Sequence, residues 1–242
     1  MKALTHNPLL KDLIAFAGHK VHIGRYLEVG KLLDWLGDVR GASVLDVAGG
    51  DGYWAGQVKK RGARTAVALD IARHKLDRGK LLANAPELIE GDALHLPFRD
   101  GAFDAVMSVC AIEHFPDGPA SLDEMARVLR PGGHLVISAD TLSRGHLYPK
   151  RDAAHRRRYA VLDTYDHKRM TALLEERGLD VLEHSYLFRS ESAERLYYFL
   201  SAKGGKAGWN AAAPLIPWLA ASDRRAPNDQ GAIVLLRAVK RG

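Results

Sequence analysis

Short apolar runs alternate with segments that carry apolar residues at helical spacing, and this alternation predicts most of the architecture. Most of the runs have consecutive apolar residues without a polar alternation, which is typical of strands that are buried on both faces of a sheet. We therefore expect strands at 43–48, 64–70, 87–92, 103–109 and 134–140. Helical segments lie between most of them, so the pattern predicts βαβ units and a mainly parallel sheet with helices on both faces.

The pattern continues less regularly on either side of this region. A helix is expected before it, at 24–37, whereas residues 141–165 have no clear periodicity. The remaining expected elements are a helix at 167–178, a strand at 179–188, a helical region at 190–222 and a final strand at 231–239. The residues directly before the final strand are not helical, and a late strand after such a return can enter the sheet antiparallel to its neighbour.

The stretch VLDVAGGDGYWA, residues 44–55, ends an apolar strand in an aspartate and then turns to glycine. Ligands of open parallel sheets bind beyond the carboxyl ends of the strands. Gly49, Gly50 and Gly52 allow the main chain to approach a ligand without a Cβ in the way. Asp46 would repel a phosphate there, so a ligand with a positively charged amino-acid moiety fits better than a pyrophosphate.

Two more acidic residues end the next two strands. Asp70 closes the second strand, about 20 residues beyond the glycines, where a carboxylate can bind both ribose hydroxyls. Asp92 closes the third strand and is followed by Ala93, which can meet an adenine edge. One strand end then faces an amino acid, the next a ribose and the third a base. Together these features predict S-adenosyl-L-methionine as the cofactor.

Four motifs follow one another between residues 40 and 140: VLDVAGGDG, ALDIA, GDALHLPFRDGAFDAVMSVCAIEHF and EMARVLRPGGHLVIS. In this order and spacing they resemble the class I S-adenosylmethionine-dependent methyltransferases of the small-molecule type. The resemblance implies an α/β, Rossmann-like fold with a seven-stranded, mainly parallel sheet and an antiparallel last strand. We expect a single domain made of an N-terminal helical cap at 1–40, a cofactor-binding core at 40–140, an acceptor-recognition insert and lid at 141–230 and the last strand at 231–242.

The resemblance also implies which residues contact the cofactor. These are Asp46, Ala48, Gly49, Gly50, Asp70, Ile71, Asp92, Ala93 and Cys110. The chain near Cys110 is expected beside the methionine end of the cofactor. The family usually has glycine where this chain has Ala48, and alanine, which is also small, occurs there in some members.

A dinucleotide site is the alternative interpretation of the glycines. Gly50, Gly52 and Ala55 match the dinucleotide-binding fingerprint, and Asp70 lies at the right distance for a dehydrogenase. This interpretation leaves Asp46 and Asp92 unexplained, and it does not account for the segment LRPGGHLVIS.

The candidate catalytic residues follow the fourth and fifth strands, which are neighbours in the expected strand order. His114 lies in AIEHFPD and Asp140 in ISADT. A histidine with a carboxylate partner is a suitable proton acceptor near neutral pH, so we expect His114 to act as base and Asp140 to orient it or to accept the proton. As an alternative, Glu113, His114 and Asp140 could help to hold a divalent metal ion that binds a diol.

Composition and charge change this interpretation only slightly. The single Cys110 excludes an internal disulfide, and no apolar run approaches the roughly 20 residues that span a bilayer, so we expect a cytoplasmic protein. The formal net charge is +6. Residues 141–170 contain eight Lys/Arg against three Asp/Glu, which is typical either of a pocket for an anionic or sugar-bearing acceptor or of a solvated face.

The expected function is therefore methyl transfer to a small molecule, most readily to a hydroxyl oxygen of a sugar, polyketide or isoprenoid-type metabolite. A first alternative is an RNA methyltransferase that uses the basic segment 144–169, although the sequence has no recognisable RNA-binding domain, so nucleic acid is not the expected partner. A second alternative is a non-catalytic cofactor-binding module. The pattern leaves monomer and homodimer open.

Overall fold

Residues 23–82, 84–201 and 205–242 are described by the computed structural model. Of the predicted helical cap at 1–40, residues 1–22 lie outside these ranges. Seven strands are present in the described chain: β1 (Ser43–Val47), β2 (Thr65–Asp70), β3 (Glu87–Glu90), β4 (Phe103–Val109), β5 (Leu129–Asp140), β6 (Leu179–Leu187) and β7 (Ile233–Lys240).

The seven strands form one sheet in the order β3-β2-β1-β4-β5-β7-β6. β1 pairs in parallel with β2 and β4, and β4 pairs in parallel with β5. β7 runs antiparallel to both of its neighbours, β5 and β6. These pairings confirm the predicted fold, including the antiparallel last strand.

Helices cover the sheet. They are α1 (Ile23–Leu36), α2 (Tyr53–Lys60), α3 (Arg73–Gly79), α4 (Gly118–Val128), α5 (Pro149–Tyr159), α6 (His167–Glu175), α7 (Glu191–Phe199), α8 (Gly205–Ala211) and α9 (Ile216–Arg225), with short 3-10 helices at Ile112–His114, Gly145–Leu147 and Ala213–Leu215. None of the helices in the described ranges combines the length and the apolar composition that crossing a bilayer requires.

Alternate strand residues face two separate cores. In β1, Leu45 packs in one core with Leu122 of α4 and Met170 of α6, whereas Val44 packs in the other with Leu32 of α1. Both faces of the sheet are therefore occupied by the protein's own side chains. The carboxyl ends of the strands remain available for a ligand, and β1, where the strand order reverses, is the point at which such sheets bind one.

The segment after β5 differs from the prediction. Residues 149–159 form α5, although the sequence has no apolar periodicity there. The sequence shows no apolar periodicity here because the helix is almost wholly polar and His155 is its buried residue. The expected insert and lid at 141–230 also contributes β6 to the edge of the sheet, so only part of it lies outside the sheet.

Candidate functional site

A cavity of about 340 Å³ opens at the carboxyl ends of β1, β2 and β4. Six of the nine residues predicted to contact the cofactor line it: Ala48, Asp70, Ile71, Asp92, Ala93 and Cys110. His114 lines it as well, together with Lys75, Leu94, Phe115 and Pro116, which the sequence analysis did not single out. Its volume falls at the lower end of the range for small-ligand pockets, about 300–1,000 Å³.

Asp70 is buried at the end of β2 and joins two loops at the edge of the cavity. Its Oδ2 accepts a hydrogen bond from the Gly50 N–H (2.9 Å), and its Oδ1 accepts one from the Ala72 N–H (2.8 Å). The Lys75 ammonium lies 3.4 Å from Oδ2. Oδ1 can accept a second bond, and the contact of Oδ2 with Lys75 is long, so Asp70 both fixes the glycine-rich loop and keeps acceptor capacity for a ligand.

The far end of the cavity combines an apolar wall with polar groups. Ile71 is 72% exposed although it lies directly beside the buried Asp70, and Leu94 forms part of the same wall. Asp92 lies two residues beyond β3, and one of its oxygens accepts the Leu94 N–H (2.9 Å). An exposed isoleucine beside a half-exposed carboxylate suits a flat heteroaromatic ring with a donor at its edge.

Each glycine of this loop is required for a different structural reason. A Cβ on Gly49 would lie 2.7 Å from Cγ of Asp46, so this glycine makes room for the buried carboxyl. Gly52 has a positive φ of 75°, and a Cβ there would meet Pro86 at 2.7 Å. Gly50 also has a positive φ, 64°. Asp46, Gly49 and Gly50 are not among the described residues that line the cavity, and Asp46 is buried against Gly49.

Ala48 takes the left-handed conformation with φ of 57°, which explains why glycine is usual at this position. This conformation costs an alanine about 1 kcal/mol or more. We expect Ala48→Gly to stabilise the fold by about 0.5–1 kcal/mol, the strain relieved less the entropy that glycine adds to the unfolded chain. Urea unfolding measures the change. Ala55→Gly, within α2, is the matched control and should destabilise by about 1 kcal/mol; a loss of stability in Ala48→Gly would contradict the strain.

Asp46 is a buried carboxyl with one oxygen unused. Among the described residues, nothing donates a hydrogen bond to its Oδ2. Burial, and next the neighbouring Asp70, raise the pKa of Asp46 to about 8. The group is therefore largely protonated at neutral pH, unless a cation binds beside it.

The raised pKa of Asp46 makes stability depend on pH. Between the usual aspartate pKa and about 8, the folded state holds a proton that the unfolded state has released. The stability that this proton supplies is complete at low pH and is lost as the pH rises towards 8. Relative to Asp46→Asn, we expect the wild-type free energy of unfolding to fall by up to about 1.4 kcal/mol per pH unit in this window. Urea titrations at pH 5 and 8 measure it; a difference that is the same at both values would mean that Asp46 is ionised throughout.

A second, smaller cavity of about 40 Å³ adjoins the first and shares Cys110 and His114 with it. The other residues around it are Arg25, Glu113, Asp140, His155, Tyr159, Tyr197 and Ser201. We call this space the polar chamber. Most of these side chains are ionisable or carry hydroxyl groups, in contrast to the apolar walls of the larger cavity.

Asp140, at the end of β5, pairs with a different histidine from the one predicted. Its Oδ2 lies 2.7 Å from Nε2 of His155, and its Oδ1 accepts the Tyr197 hydroxyl (3.0 Å). The predicted pairing with His114 is therefore wrong in this structure, because both oxygens bond elsewhere. Burial acts to raise the pKa of Asp140, but the bonds from His155 and Tyr197 outweigh it and keep the pKa below its usual value.

His114 lies on the wall between the two cavities. Its Nδ1 is 3.3 Å from the Ala160 carbonyl oxygen, and its Nε2 is 3.9 Å from Oε1 of Glu113. Burial lowers the pKa of His114, so its imidazole is neutral at pH 7. It is thus a neutral histidine with Nε2 free of a close carboxylate bond.

Two atoms of the polar chamber are buried without a partner among the described residues. They are Oε2 of Glu113 and Nδ1 of His155. Burial, and next the charge of Asp140, raise the pKa of Glu113 well above the usual value. His155 was missed by the sequence analysis, since it is the one buried residue of a helix that has no apolar pattern.

A divalent metal ion does not fit the residues of this region. The donor atoms that approach one another, within 4.8 Å in the described chain, belong to Cys110, Glu113 and Asp140, so His114 is not among them. The Cys110 thiol donates to Glu28 at 3.0 Å, and burial raises its pKa. Asp140 is already bonded twice, so of these three groups Glu113 has the one oxygen that is unpartnered in the described chain, and a divalent ion needs more ligands than that.

The basic segment 144–169 contributes little charge to either cavity. Of the described residues that line the two cavities, none is one of its lysines or arginines. Several of these cations are bound within the protein: Arg144 to Glu194 (2.5 Å), Arg156 to Asp152 (2.8 Å) and Arg169 to Asp163 (2.6 Å).

The region that lines the larger cavity is similar in sequence to known methyltransferases. Residues 45–137 match the family model described as a methyltransferase domain. Methyltransferase GfsG of Streptomyces halstedii is 34% identical over 157 residues, which are 59% of this chain and 54% of the relative. Demethylmenaquinone methyltransferase of Staphylococcus aureus is 34% identical over 132 residues, 52% of each chain. The chain therefore spans about half the length of these curated relatives.

Solved structures extend the similarity of fold to most of the chain. A geranyl diphosphate methyltransferase, in complex with GPP and sinefungin, superposes with a TM-score of 0.65 at 16% identity, covering 88% of this chain and 78% of that one. An identity this low supports the fold alone. Residues 45–137 therefore match a methyltransferase domain, and the strand order agrees with the resemblance to the class I S-adenosylmethionine-dependent methyltransferases.

Proposed function

We propose that the chain binds S-adenosyl-L-methionine in the larger cavity and transfers its methyl group to a hydroxyl oxygen of a small molecule. The observation that carries the proposal is the order of groups along this cavity. In the strand order from β4 through β1 and β2 to β3, Cys110 follows β4, Ala48 follows β1, Asp70 ends β2, and Asp92 and Ala93 follow β3. This is the order of the amino-acid, ribose and adenine parts of one adenosyl-sulfonium molecule.

Each part of this molecule has a chemically suited partner. The Asp70 carboxylate has acceptor capacity for ribose hydroxyls, and Ile71 offers an apolar face to the base. Gly49 and Gly50 keep the loop free of side chains, so its backbone can approach the methionine part. Asp46, buried against Gly49, would ionise beside a cationic amino group, because an opposite charge lowers the pKa that burial raises. The cofactor supplies an electrophilic methyl group on a sulfonium.

We assign the acceptor to the side of the polar chamber. Cys110 and His114 border both cavities, so a group held in the chamber lies next to the end of the larger cavity that we assign to the methyl group. In this proposal the chain's own task is to hold the acceptor oxygen in line and to take its proton. His114, the base that the sequence predicts, remains one candidate, since its neutral imidazole lies on the shared wall. The segment 141–230 supplies α5 and α7 to the acceptor side.

The relatives do not agree on an acceptor. One is named for demethylmenaquinone, and the geranyl diphosphate enzyme for an isoprenoid diphosphate. A diphosphate would need cations around it, and the described chamber offers Arg25, which is already bonded to Glu28 at 2.7 Å. The hydroxyl assignment therefore rests on the chamber of this chain.

RNA methylation is the weaker alternative. It would use the basic segment 144–169, whose arginines are in part bound by acidic residues of the protein and are absent from the described walls of both cavities. A non-catalytic module is the second alternative. Its binding site would look the same, so only turnover separates it from an enzyme.

Calorimetry with S-adenosyl-L-methionine, followed by a screen of hydroxylated acceptors with methyl-labelled cofactor, tests the proposal. We expect saturable binding with one site per chain and transfer of label to at least one hydroxylated small molecule. Binding without transfer to any acceptor would favour the non-catalytic module. Absence of binding would refute the cofactor assignment, and salt-sensitive transfer to mixed RNA would favour the RNA alternative.

A further inference from the structure

We infer that His155, Asp140 and Glu113 form the acceptor site of the polar chamber, with His155 as the base, and that the group they bind is an uncharged hydroxyl. This inference rests on the proposed function and goes beyond it, because it assigns the proton transfer to a residue of α5 in place of His114. It also specifies that the group to be methylated is uncharged when it binds.

The first step is the tautomer of His155. The Asp140 carboxylate has no proton to give, so the 2.7 Å contact between Oδ2 and Nε2 requires Nε2 of His155 to carry the hydrogen. In the neutral ring Nδ1 then has a free lone pair. This atom is buried and unpartnered in the described chain, and its side chain borders the polar chamber. The imidazole can therefore accept a hydrogen bond from a group in the chamber.

The second step is the state of Glu113. This side chain is fully buried, and its Oε1 accepts the Asp140 N–H at 3.3 Å. Burial keeps the carboxyl protonated, as the raised pKa indicates. Its unpartnered Oε2 can then carry the proton and donate it to a guest.

The two unpartnered atoms together describe a guest with one donor and one acceptor. Nδ1 of His155 accepts and the Glu113 carboxyl donates, which matches a hydroxyl group. An ammonium group has no lone pair for Glu113, and a carboxylate has no hydrogen for His155. With about 40 Å³ of space, the chamber holds the hydroxyl end of an acceptor and leaves the rest of it outside.

The contact with Asp140 makes His155 a better base than His114. A base ends the reaction protonated, and a bonded carboxylate stabilises the imidazolium that forms. His155 has this carboxylate, which the Tyr197 hydroxyl holds in place at 3.0 Å. His114 has a carbonyl oxygen at 3.3 Å instead, and burial disfavours its charged form. Asp140 and Tyr197 are thus positioning residues for His155.

The proton and the bonds balance in one step. The acceptor oxygen forms its bond to the methyl carbon while the bond between that carbon and sulfur breaks, which leaves a neutral thioether. The hydroxyl proton passes to Nδ1 of His155, and the positive charge that the sulfonium loses appears on the imidazolium beside Asp140. Release of this proton to solvent restores the neutral ring.

Nitrogen NMR of the wild-type protein with labelled histidine tests the inference without a need for turnover. We expect hydrogen on Nε2 and a free lone pair on Nδ1 of His155, and we expect Asp140→Asn to shift the ring towards the other tautomer. Phenol, added with S-adenosylhomocysteine present, should move the Nδ1 resonance of His155, whereas fluorobenzene, which lacks the hydroxyl, should not. Hydrogen on Nδ1 in the wild type, or no difference between the two probes, would overturn the assignment.

Variants add a second test once the labelled screen has provided an acceptor. His155→Gln should lower turnover by about 100-fold or more and should lose more than His114→Gln. His155→Gln, which lies outside the wall of the larger cavity, should keep the affinity for S-adenosylhomocysteine, and this binding also verifies that the variant folds. A larger loss in His114→Gln would show that His114 is the base. Failure of the cofactor to bind at all would refute the proposed function, whereas the tautomer of His155 would still test this inference.

Discussion

Asp70→Ala is expected to weaken the binding of S-adenosyl-L-methionine by about 100-fold or more, because two charge-assisted hydrogen bonds to the ribose are lost. The same change leaves the N–H groups of Gly50 and Ala72 without their acceptor, which should cost about 1–3 kcal/mol of stability. Calorimetry below the melting temperature of the variant measures the affinity, and urea unfolding measures the stability.

Asp77→Ala is the matched control for Asp70. This carboxylate lies on α3, is half exposed and bonds to Arg73 and Lys80, so its loss removes the same charge a short distance along the chain. We expect an affinity within a factor of about two of the wild type and little change in stability, because exposed ion pairs contribute little. Wild-type affinity in Asp70→Ala would defeat the ribose assignment, even if the variant were less stable.

Glu194→Ala is expected to destabilise the fold by about 3–5 kcal/mol, since it leaves a charge buried without its partner. Glu194 is fully buried in α7 and accepts bonds from the Arg144 guanidinium (2.5 Å) and the Arg144 N–H (2.9 Å). This pair links α7 to Arg144, which lies in the segment that follows the end of β5 at Asp140. Urea unfolding followed by circular dichroism measures the loss.

Glu191 provides the control on the same helix. It is exposed and accepts the Tyr148 hydroxyl at 3.1 Å, so Glu191→Ala should cost less than about 1 kcal/mol. Equal losses in the two variants would mean that burial of the Arg144 pair does not matter. A Glu194→Ala variant as stable as the wild type would contradict the buried ion pair itself.

The residues proposed for the cofactor side could be predicted because each one belongs to a local sequence pattern. Asp46 and Asp70 end apolar strands, and the strand ends of a parallel sheet meet at one edge. The sequence could not separate the reasons for the glycines, because those depend on what packs against each one. Gly49 accommodates Asp46, and Gly52 accommodates Pro86, neither of which is visible from spacing alone.

The acceptor side was less predictable because it depends on contacts between distant segments. Asp140 was identified from its place at a strand end, but its partner is on a helix that carries no apolar stripe. His114 is closer to Asp140 in the predicted layout, and only the position of α5 brings His155 to the carboxylate. Tyr197, which bonds the other oxygen, is 57 residues from Asp140 in sequence.

A crystal structure with S-adenosylhomocysteine bound would show whether the strand ends hold the cofactor. We expect the ribose at Asp70, the base between Ile71 and the Asp92–Leu94 segment, and the sulfur beside Cys110. A ligand lodged away from these three strand ends, or a dinucleotide whose pyrophosphate lies over Gly50, would contradict this arrangement.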